Sequence, residues 1–239
     1  MKCFLTSNPL TCDAERLNSA NGFADELKAS LPECCRAIFI CSDPEDYERT
    51  ERHAAGMRRS CEAEGIAFSR FDVLDRRNSG ETGSLVRDAE LVILAGGHVP
   101  TQNKFFAEIG LRELMQSYDG IVLGISAGSM NSAELVYAQP ELEGEAKDPA
   151  YRRFLPGLAL TKVMLLPHYQ MLKDEMLDGL RVMENIAYPD SRGRRFYAIP
   201  DGSYLYIEDG REEIRGEAYL IADGELTQIS AAGERVMPA

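Results

Sequence analysis

The residues most suggestive of chemistry form the motif Gly-Ile-Ser-Ala-Gly at residues 124–128. The motif ends an apolar run, residues 121–125, and precedes a segment with helical character, residues 129–137. Between a strand and a helix, G-x-S-x-G is the pattern of a nucleophile elbow, a sharp turn that exposes the serine hydroxyl at the carboxyl end of a sheet. The pattern therefore predicts Ser126 as a nucleophile, with a tight turn and a helix-capping serine as the alternative.

A serine nucleophile needs a general base, and the chain contains three histidines. His53 lies inside a charged helical segment and is interpreted as a surface residue. His98 and His168 each follow an apolar, strand-like run, and open parallel sheets gather their chemistry at the carboxyl ends of strands. We predict His168 as the base and regard His98 as a substrate contact or simply a loop residue.

The predicted base also needs a carboxylate that orients its ring. Asp201 follows another strand-like run and is our first choice, although an Asp-Gly pair is also an ordinary turn signal. Glu141 and Asp148, in the loop that follows the elbow segment, are the alternatives. The acid of the triad therefore stays open between these three residues.

Backbone N–H groups near the elbow could stabilise the oxyanion of an acyl-transfer reaction. Gly96 and Gly97 follow the apolar run at residues 91–94, where a bare backbone can approach a substrate carbonyl. The N–H of Ala127, directly after the nucleophile, would supply a second donor. We predict Gly97 and Ala127 as the oxyanion hole, each donor typically worth about 3–4 kcal/mol to the transition state, and Gly96 as a substrate contact. The alternative for the glycine pair is a loop that needs positive φ.

The elements that must position these residues alternate along the chain. Short apolar runs are predicted as strands at residues 3–6, 37–41, 66–73, 91–94 and 121–125. Segments with helical spacing lie between them at residues 14–30, 44–64 and 101–118. Such alternation predicts an α/β fold with a mostly parallel central sheet and helices on both of its faces.

The chain changes character after about residue 190. Strand-like runs follow, separated by Asp-Gly pairs that are strong turn signals. These runs predict a meander or a pair of C-terminal β-hairpins that finish the same sheet. No repeat or linker divides the sequence, so residues 1–239 are predicted to form a single domain.

Composition argues against several classes of protein. The 239 residues are 44% hydrophobic and 27% charged, as in an ordinary globular protein, and the net charge of −13 repels phosphate backbones and anionic lipid. We therefore expect no nucleic-acid or membrane partner. The six cysteines lack metal-binding spacing and are expected to be reduced and mostly buried. Because no apolar run suits a signal peptide or a membrane span, we expect a cytoplasmic location.

Taken in order, these motifs resemble the family that contains peptidase E, an aspartyl dipeptidase, and the cyanophycinases. The shared features are the Gly-Gly loop, the serine elbow, Pro-His-Tyr at residues 167–169 and Pro-Asp-Gly at residues 200–202, with a similar opening at residues 5–8. The similarity runs through most of the chain. It implies a three-layer α/β sandwich related to class I glutamine amidotransferases, with serine in place of cysteine at the elbow.

The resemblance also implies roles for individual residues. Ser126 would be the nucleophile, His168 the base, and Asp201 would stand where the family usually has a glutamate. Aspartate is one methylene shorter, so its backbone must come closer to His168. The arginine that peptidase E has after its catalytic histidine, which is linked to recognition of an N-terminal aspartate, has no counterpart before Arg181. Lys173 offers only a point charge as a substrate contact, so aspartyl specificity is not carried over.

We therefore expect a serine peptidase, dipeptidase-like, that hydrolyses short peptides and needs no metal or cofactor. The alternatives are an esterase or amidase of another α/β class and a non-catalytic, ligand-binding relative. In α/β-hydrolases the acid precedes the histidine, whereas Asp201 follows His168 in this chain. The acidic loop at residues 139–153 is expected to lie near the site and shape access to it. For the assembly of the protein, we consider a homodimer.

Overall fold

A computed structural model describes residues 1–238 of the chain. The strands of these residues are β1 (Lys2–Thr6), β2 (Cys34–Ile40), β3 (Ala67–Leu74), β4 (Leu91–Leu94), β5 (Ile121–Ile125), β6 (Leu135–Tyr137), β7 (Phe154–Pro156), β8 (Met164–Leu166), β9 (Met176–Leu177), β10 (Leu180–Arg181), β11 (Arg195–Ala198), β12 (Tyr204–Glu208), β13 (Arg211–Arg215), β14 (Ala218–Ala222), β15 (Glu225–Ser230) and β16 (Arg235–Val236). The α-helices are α1 (Phe23–Ser30), α2 (Tyr47–Ala63), α3 (Thr82–Asp88), α4 (Val99–Glu108), α5 (Leu111–Gln116), α6 (Ala127–Asn131), α7 (Tyr169–Leu172) and α8 (Tyr188–Asp190). Shorter helical turns are the 3₁₀ turns Ala20–Gly22 and Arg76–Glu81 and the π-helical turn Val182–Ala187.

The central sheet has eight strands in the order β16-β13-β12-β1-β5-β4-β2-β3. The five strands from β1 to β3 in this order run parallel to one another. On the other side of β1, the strands β12, β13 and β16 are antiparallel. The apolar runs predicted as strands thus form the parallel half, and every residue of β4 is buried, as expected for a strand covered on both faces.

Helices cover both faces of the parallel half. On one face, Phe39, Ile93 and Leu123 belong to a buried cluster with side chains of α1 and α2. On the other face, Val92 and Val122 belong to a second cluster with side chains of α3, α4 and α5. Alternate residues of one strand point to opposite faces, so the apolar runs of β4 and β5 supply both clusters. The carboxyl ends of these strands are consequently held at one well-packed edge.

A second sheet of four strands, in the order β15-β14-β11-β8, corrects the prediction that the C-terminal strands finish one sheet. The β12–β13 hairpin joins the central sheet, whereas the β14–β15 hairpin joins β11 in the second sheet. The chain passes between the sheets at Pro200–Ser203, where the N–H of Ser203 donates to Pro200 (3.1 Å) and Gly202 has φ 89°. A turn of this kind needs a glycine with positive φ, which the Asp-Gly pair provides.

Three predicted helices are shorter than expected. Of residues 14–30, only α1 is α-helical, because Asn21 and Gly22 adopt left-handed conformations just before it. The segment at residues 101–118 divides into α4 and α5 at Gly110, whose φ is 61°. The segment at residues 129–137 is wrong as a single helix: α6 ends at Asn131, and β6 pairs with β7 instead. No helix among residues 1–238 has the length and apolarity required to cross a lipid bilayer.

Candidate active site

Ser126 lies at a sharp turn between β5 and α6. Its backbone has φ 48° and ψ −109°, a conformation that costs a non-glycine residue about 1–3 kcal/mol and that clusters at active sites. The flanking glycines leave room for the turn. A Cβ on Gly124 would lie 2.8 Å from a side-chain atom of α6, and a Cβ on Gly128 would lie 2.3 Å from the carbonyl oxygen of Leu94. Because the N–H of Ser126 also donates to Thr6 on β1 (3.1 Å), the hydroxyl is held at the carboxyl end of the sheet.

His168 follows β8, and the structure places it beside Ser126. Its Nε2 lies 2.9 Å from Oγ of Ser126, which is within the reach required of a general base. Its backbone is left-handed, with φ 59° and ψ 32°, and this conformation turns the chain from β8 into α7. Sparsely populated conformations of this kind persist only where surrounding contacts hold them. The imidazole is therefore aimed at the elbow by the backbone as well as by its own hydrogen bonds.

Asp201 lies in the turn between β11 and β12, with its Oδ1 2.8 Å from Nδ1 of His168. Burial raises the pKa of this carboxyl, but hydrogen bonds from His168 and Ser7 outweigh burial, so the pKa lies below its ordinary value. The group is therefore held in its charged form. Of the three candidate acids, Asp201 is the one bonded to His168. Glu141 lines the cavity in front of the elbow, and the Asp148 carboxylate accepts a backbone N–H within its own loop.

Ser7, for which the sequence predicts no role, connects the acid to the base. Its hydroxyl donates to Oδ1 of Asp201 (2.6 Å) and accepts the backbone N–H of His168 (2.8 Å). The residue is completely buried. The signal that could have revealed it is its position directly after β1, at the same sheet edge as the elbow.

The site lies where the carboxyl ends of the two sheets meet. Ser7 and Ser126 follow β1 and β5, which are neighbouring parallel strands of the central sheet. His168 and Asp201 follow β8 and β11, which are neighbouring parallel strands of the second sheet. The hydrogen bonds of Ser7 and Ser126 therefore cross from one sheet to the other.

Gly96 and Gly97 form a loop between β4 and α4 beside the elbow. A Cβ on Gly96 would lie 3.5 Å from Cβ of Ser126, so the backbone of this loop passes directly against the elbow. A Cβ on Gly97 would lie 2.3 Å from Oγ of Ser42, closer than side chains allow. Ala127 is the first residue of α6, and the N–H groups of a first helical turn have no partner within the helix. Both predicted oxyanion donors thus belong to backbone at or next to the elbow.

An open cavity of about 770 Å³ lies in front of Ser126 and His168, and the Gly-Gly loop contributes to its wall. His98 also lines this cavity, but its ring is already engaged by protein partners. Its Nδ1 lies 2.8 Å from Oγ1 of Thr101, and its Nε2 lies 2.9 Å from Oε1 of Glu145. The predicted substrate contact therefore ties the Gly-Gly loop to the acidic loop that follows β6.

Helix α2 brings positive charge to the cavity. Arg49, Arg52 and His53 line it, and their spacing places them on one face of the helix. The nearest carboxylate to Arg52 is that of Glu48, at 4.0 Å, and no carboxylate of residues 1–238 lies within 4.0 Å of the Arg49 guanidinium. His53 is exposed, as predicted, but it faces the cavity. Lys173 is exposed outside the cavity lining, so the cationic wall is formed by α2 instead.

Residues 139–142 of the acidic loop complete the wall, and two of them have unusual surroundings. Gln139 is 3% exposed, and its Oε1 is buried without a hydrogen-bond partner, which is uncommon in folded proteins. Glu141 is open to the solvent of the cavity but enclosed by protein around it. Burial by the surrounding protein is the main reason that the pKa of Glu141 rises to about 8. The negative charges of Glu145 and Glu175 add to this rise. Sequence patterns gave no reason to choose Gln139 or the two arginines, because their loop and helix could have faced either way.

The chain is similar to known proteins both in sequence pattern and in fold. A family model described as Peptidase family S51 matches residues 4–215. No curated protein matches the chain. A crystal structure described as a "Putative Peptidase E Protein" from Listeria monocytogenes EGD-e matches with a TM-score of 0.55 and 17% sequence identity, covering 97% of this chain and 98% of that chain. At this identity the likeness shows a shared mixed α/β fold with a large central sheet. Because the family model spans most of its length and the site residues described above, the chain belongs to peptidase family S51.

Proposed function

We propose that the chain is a serine peptidase that hydrolyses short peptides, with Ser126, His168 and Asp201 as its catalytic triad. The observation that carries the proposal is the unbroken line of hydrogen bonds between these side chains. It runs 2.9 Å from Oγ to Nε2 and 2.8 Å from Nδ1 to Oδ1, at the base of an open cavity. Membership of peptidase family S51 supports peptide hydrolysis as the reaction.

The first half of the reaction forms an acyl-enzyme. Oγ of Ser126 attacks the carbonyl carbon of the scissile bond, and its proton moves to Nε2 of His168. The carbonyl electron pair moves to oxygen, where the N–H groups of Gly97 and Ala127 stabilise the oxyanion. When the tetrahedral intermediate collapses, the C–N bond breaks and the leaving nitrogen takes the proton from Nε2.

The second half of the reaction releases the acid product. Water loses a proton to Nε2 of His168 and attacks the acyl carbon, after which the bond to Oγ of Ser126 breaks and Oγ regains the proton. In both halves the carboxylate of Asp201 accepts the Nδ1–H of His168. It thereby keeps the ring in the correct tautomer and stabilises the imidazolium form that appears transiently.

The cavity supports a short substrate. Its volume of about 770 Å³ lies within the range of small-molecule sites and is open on one side. Arg49 and Arg52 supply positive charge with no carboxylate closer than the one 4.0 Å from Arg52, and arginine matches the planar geometry of a carboxylate. We infer that they contact a carboxylate of the peptide and thus take the place that Lys173 was predicted to hold.

The proposal extends to the setting of the enzyme. Helices on both faces of the central sheet support a three-layer arrangement of the kind found in class I glutamine amidotransferases. We also propose a single domain, a cytoplasmic location and dipeptidase-like preference for short peptides. These properties concern the substrate and surroundings of the triad rather than its chemistry.

Labelling with a fluorophosphonate probe tests the proposal directly, since the probe reacts with an activated serine. We expect wild type to be labelled, Ser126→Ala to remain unlabelled and His168→Ala to react much more slowly. Ser60→Ala, which removes another buried hydroxyl outside the cavity, should label like wild type. A peptide library should then yield cleaved short peptides. A folded wild type that neither labels nor cleaves any peptide would favour a non-catalytic, ligand-binding relative.

A further inference from the structure

Ser7 is the residue whose contacts the catalytic steps leave unexplained. Its hydroxyl donates to Oδ1 of Asp201 (2.6 Å) and accepts the N–H of His168 (2.8 Å). The same Oδ1 also lies 2.8 Å from Nδ1 of His168, within hydrogen-bond distance. Ser7, His168 and Asp201 therefore close a ring of three hydrogen bonds, in which Ser7 touches the side chain of the acid and the backbone of the base.

The ring joins parts of the chain that are otherwise far apart. Ser7 is separated by 161 residues from His168 and by 194 residues from Asp201. Its own position is fixed by β1 and by its N–H, which donates to Ser203 (3.3 Å). The hydroxyl therefore anchors two residues of the second sheet to a rigid strand of the central sheet, which also borders the strand that carries Ser126.

Both partners of Ser7 need such an anchor. His168 has a left-handed backbone, a conformation that surrounding contacts must hold, and its N–H donates to Ser7. Asp201 sits in a turn, and its backbone N–H donates to Oε1 of Gln170 (3.0 Å), so the turn itself is held from another side. Ser7, together with His168 and Asn8, then fixes the direction of the carboxylate.

We propose that Ser7 is a positioning residue of the catalytic site, which aligns Asp201 and the backbone of His168 so that the imidazole meets Ser126. This inference rests on the proposed triad. Ser7 exchanges no proton with the substrate; it acts through the two residues that it holds. The shared Oδ1 makes the geometry of the acid depend on a hydroxyl from the other sheet.

Three variants separate this role from simple packing. Ser7→Ala removes the hydroxyl, Ser7→Cys keeps the shape of the side chain with a somewhat larger atom that donates a hydrogen bond only weakly, and Ser7→Thr keeps the hydroxyl. Ser60→Ala serves as the matched control, because Ser60 is equally buried and bonds only to backbone carbonyls. The measurements are kcat and KM for a cleaved peptide, the rate of fluorophosphonate labelling, and the low-field proton NMR resonance of the His168 Nδ1–H.

We expect Ser7→Ala and Ser7→Cys to lower kcat and the labelling rate roughly 10–100-fold, as misplacement of a reacting group does, with KM within about twofold. The low-field resonance should shift or broaden in both. Ser7→Thr, if folded, should recover most of the rate. Wild-type behaviour in folded Ser7→Cys would overturn the proposal, because packing alone would then suffice.

The resonance separates failure of this inference from failure of the proposed function. If wild type cleaves no peptide but shows a low-field resonance that Ser7→Ala and Ser7→Cys lose, Ser7 positions the pair and the assigned reaction is wrong. If wild type cleaves peptides while the variants match it in rate and resonance, the peptidase stands and the role of Ser7 is overturned.

Discussion

Nε2 of His168 lies 2.9 Å from Oγ of Ser126, although the two residues follow strands of different sheets. Their alignment therefore depends on how the second sheet packs against the central one, and not only on the local turn at the elbow. Leu165 of β8 and Tyr197 of β11 belong to the same buried cluster as the central-sheet residue Val122, which provides that packing. The functional geometry is consequently a property of the interface between the sheets.

Replacing Asp201 with asparagine should leave the protein folded but nearly inactive. The amide can still accept a hydrogen bond, but it no longer provides the negative charge that selects the Nδ1–H tautomer and stabilises the imidazolium of His168. We expect kcat to fall roughly 10⁴-fold, as measured by steady-state peptide hydrolysis. Asp148→Asn, in the loop after the elbow, is the matched control and should retain activity. The reverse result would identify Asp148 as the acid.

Gly128→Ala should damage both stability and reactivity. The new Cβ would lie 2.3 Å from the carbonyl oxygen of Leu94, so α6 or β4 must move. Overpacking of this kind typically costs about 1–3 kcal/mol, which urea denaturation can measure, and the displaced elbow should react slowly with a fluorophosphonate. Gly80→Ala is the control, because its Cβ meets nothing within 4 Å; we expect a change within about 0.5 kcal/mol. Equal stability of the two variants would contradict the close contact.

Changing Arg49 and Arg52 together to glutamine should raise KM for peptides with a free carboxylate. The two side chains line the cavity without touching Ser126 or His168 through any hydrogen bond, so kcat should change little. The measurement compares a peptide acid with its amide, and a peptide with aspartate against asparagine. If KM rises for the peptide acid but not for its amide, the arginines contact the C-terminal carboxylate. If KM rises for the aspartate peptide but not for the asparagine peptide, they contact the side-chain carboxylate. An equal effect on all four peptides would refute a carboxylate contact.

Glu141→Gln should stabilise the protein at alkaline pH. The folded-state pKa of Glu141 is about 8, against an ordinary value of 4.5, because enclosure and the charges of Glu145 and Glu175 disfavour its charged form. Ionisation of Glu141 therefore lowers the stability of wild type as pH rises between these values, and the glutamine variant lacks this contribution. The difference in free energy of unfolding should be near zero below pH 4.5 and reach its maximum above about pH 8. Urea denaturation across this range tests it, and a difference that stays constant from pH 4.5 to pH 8 would contradict it.

The sequence indicates the family and the local chemistry of the site well, for physical reasons. The elbow is recognisable because its glycines are required by contacts within a few ångströms, such as that of Gly128 with Leu94. His168 and Asp201 follow apolar runs, and strand ends are where parallel sheets place their functional groups. The resemblance to the peptidase E family is confirmed by the family match over residues 4–215. The proposed catalytic roles of these residues stay predictions.

Other features could not be predicted, because they depend on long-range packing. Both hairpins look alike in sequence, and pairing with β1 or with β11 decides which sheet each one joins. Residues 135–137 read as the end of a helix, but the ring of Tyr137 stacks on Phe196 with centroids 4.1 Å apart, and β6 forms there instead. Likewise, only the docking of α2 shows that Arg49 faces the cavity.

The pairing of β1 (Lys2–Thr6) with β12 (Tyr204–Glu208) joins segments that lie far apart along the sequence. During synthesis, the ribosome adds Ser7 before Ser126 and His168, and Asp201 and β12 follow all three. A growing chain therefore carries the hydroxyl and even the imidazole of the proposed triad before the carboxylate and the β1 partner strand exist. Since N-terminal parts of a chain emerge and begin to fold first, the nascent protein has no complete triad until Asp201 has been added. The topology thus delays the proposed hydrolytic activity until the strands that carry all three residues of the triad have been made.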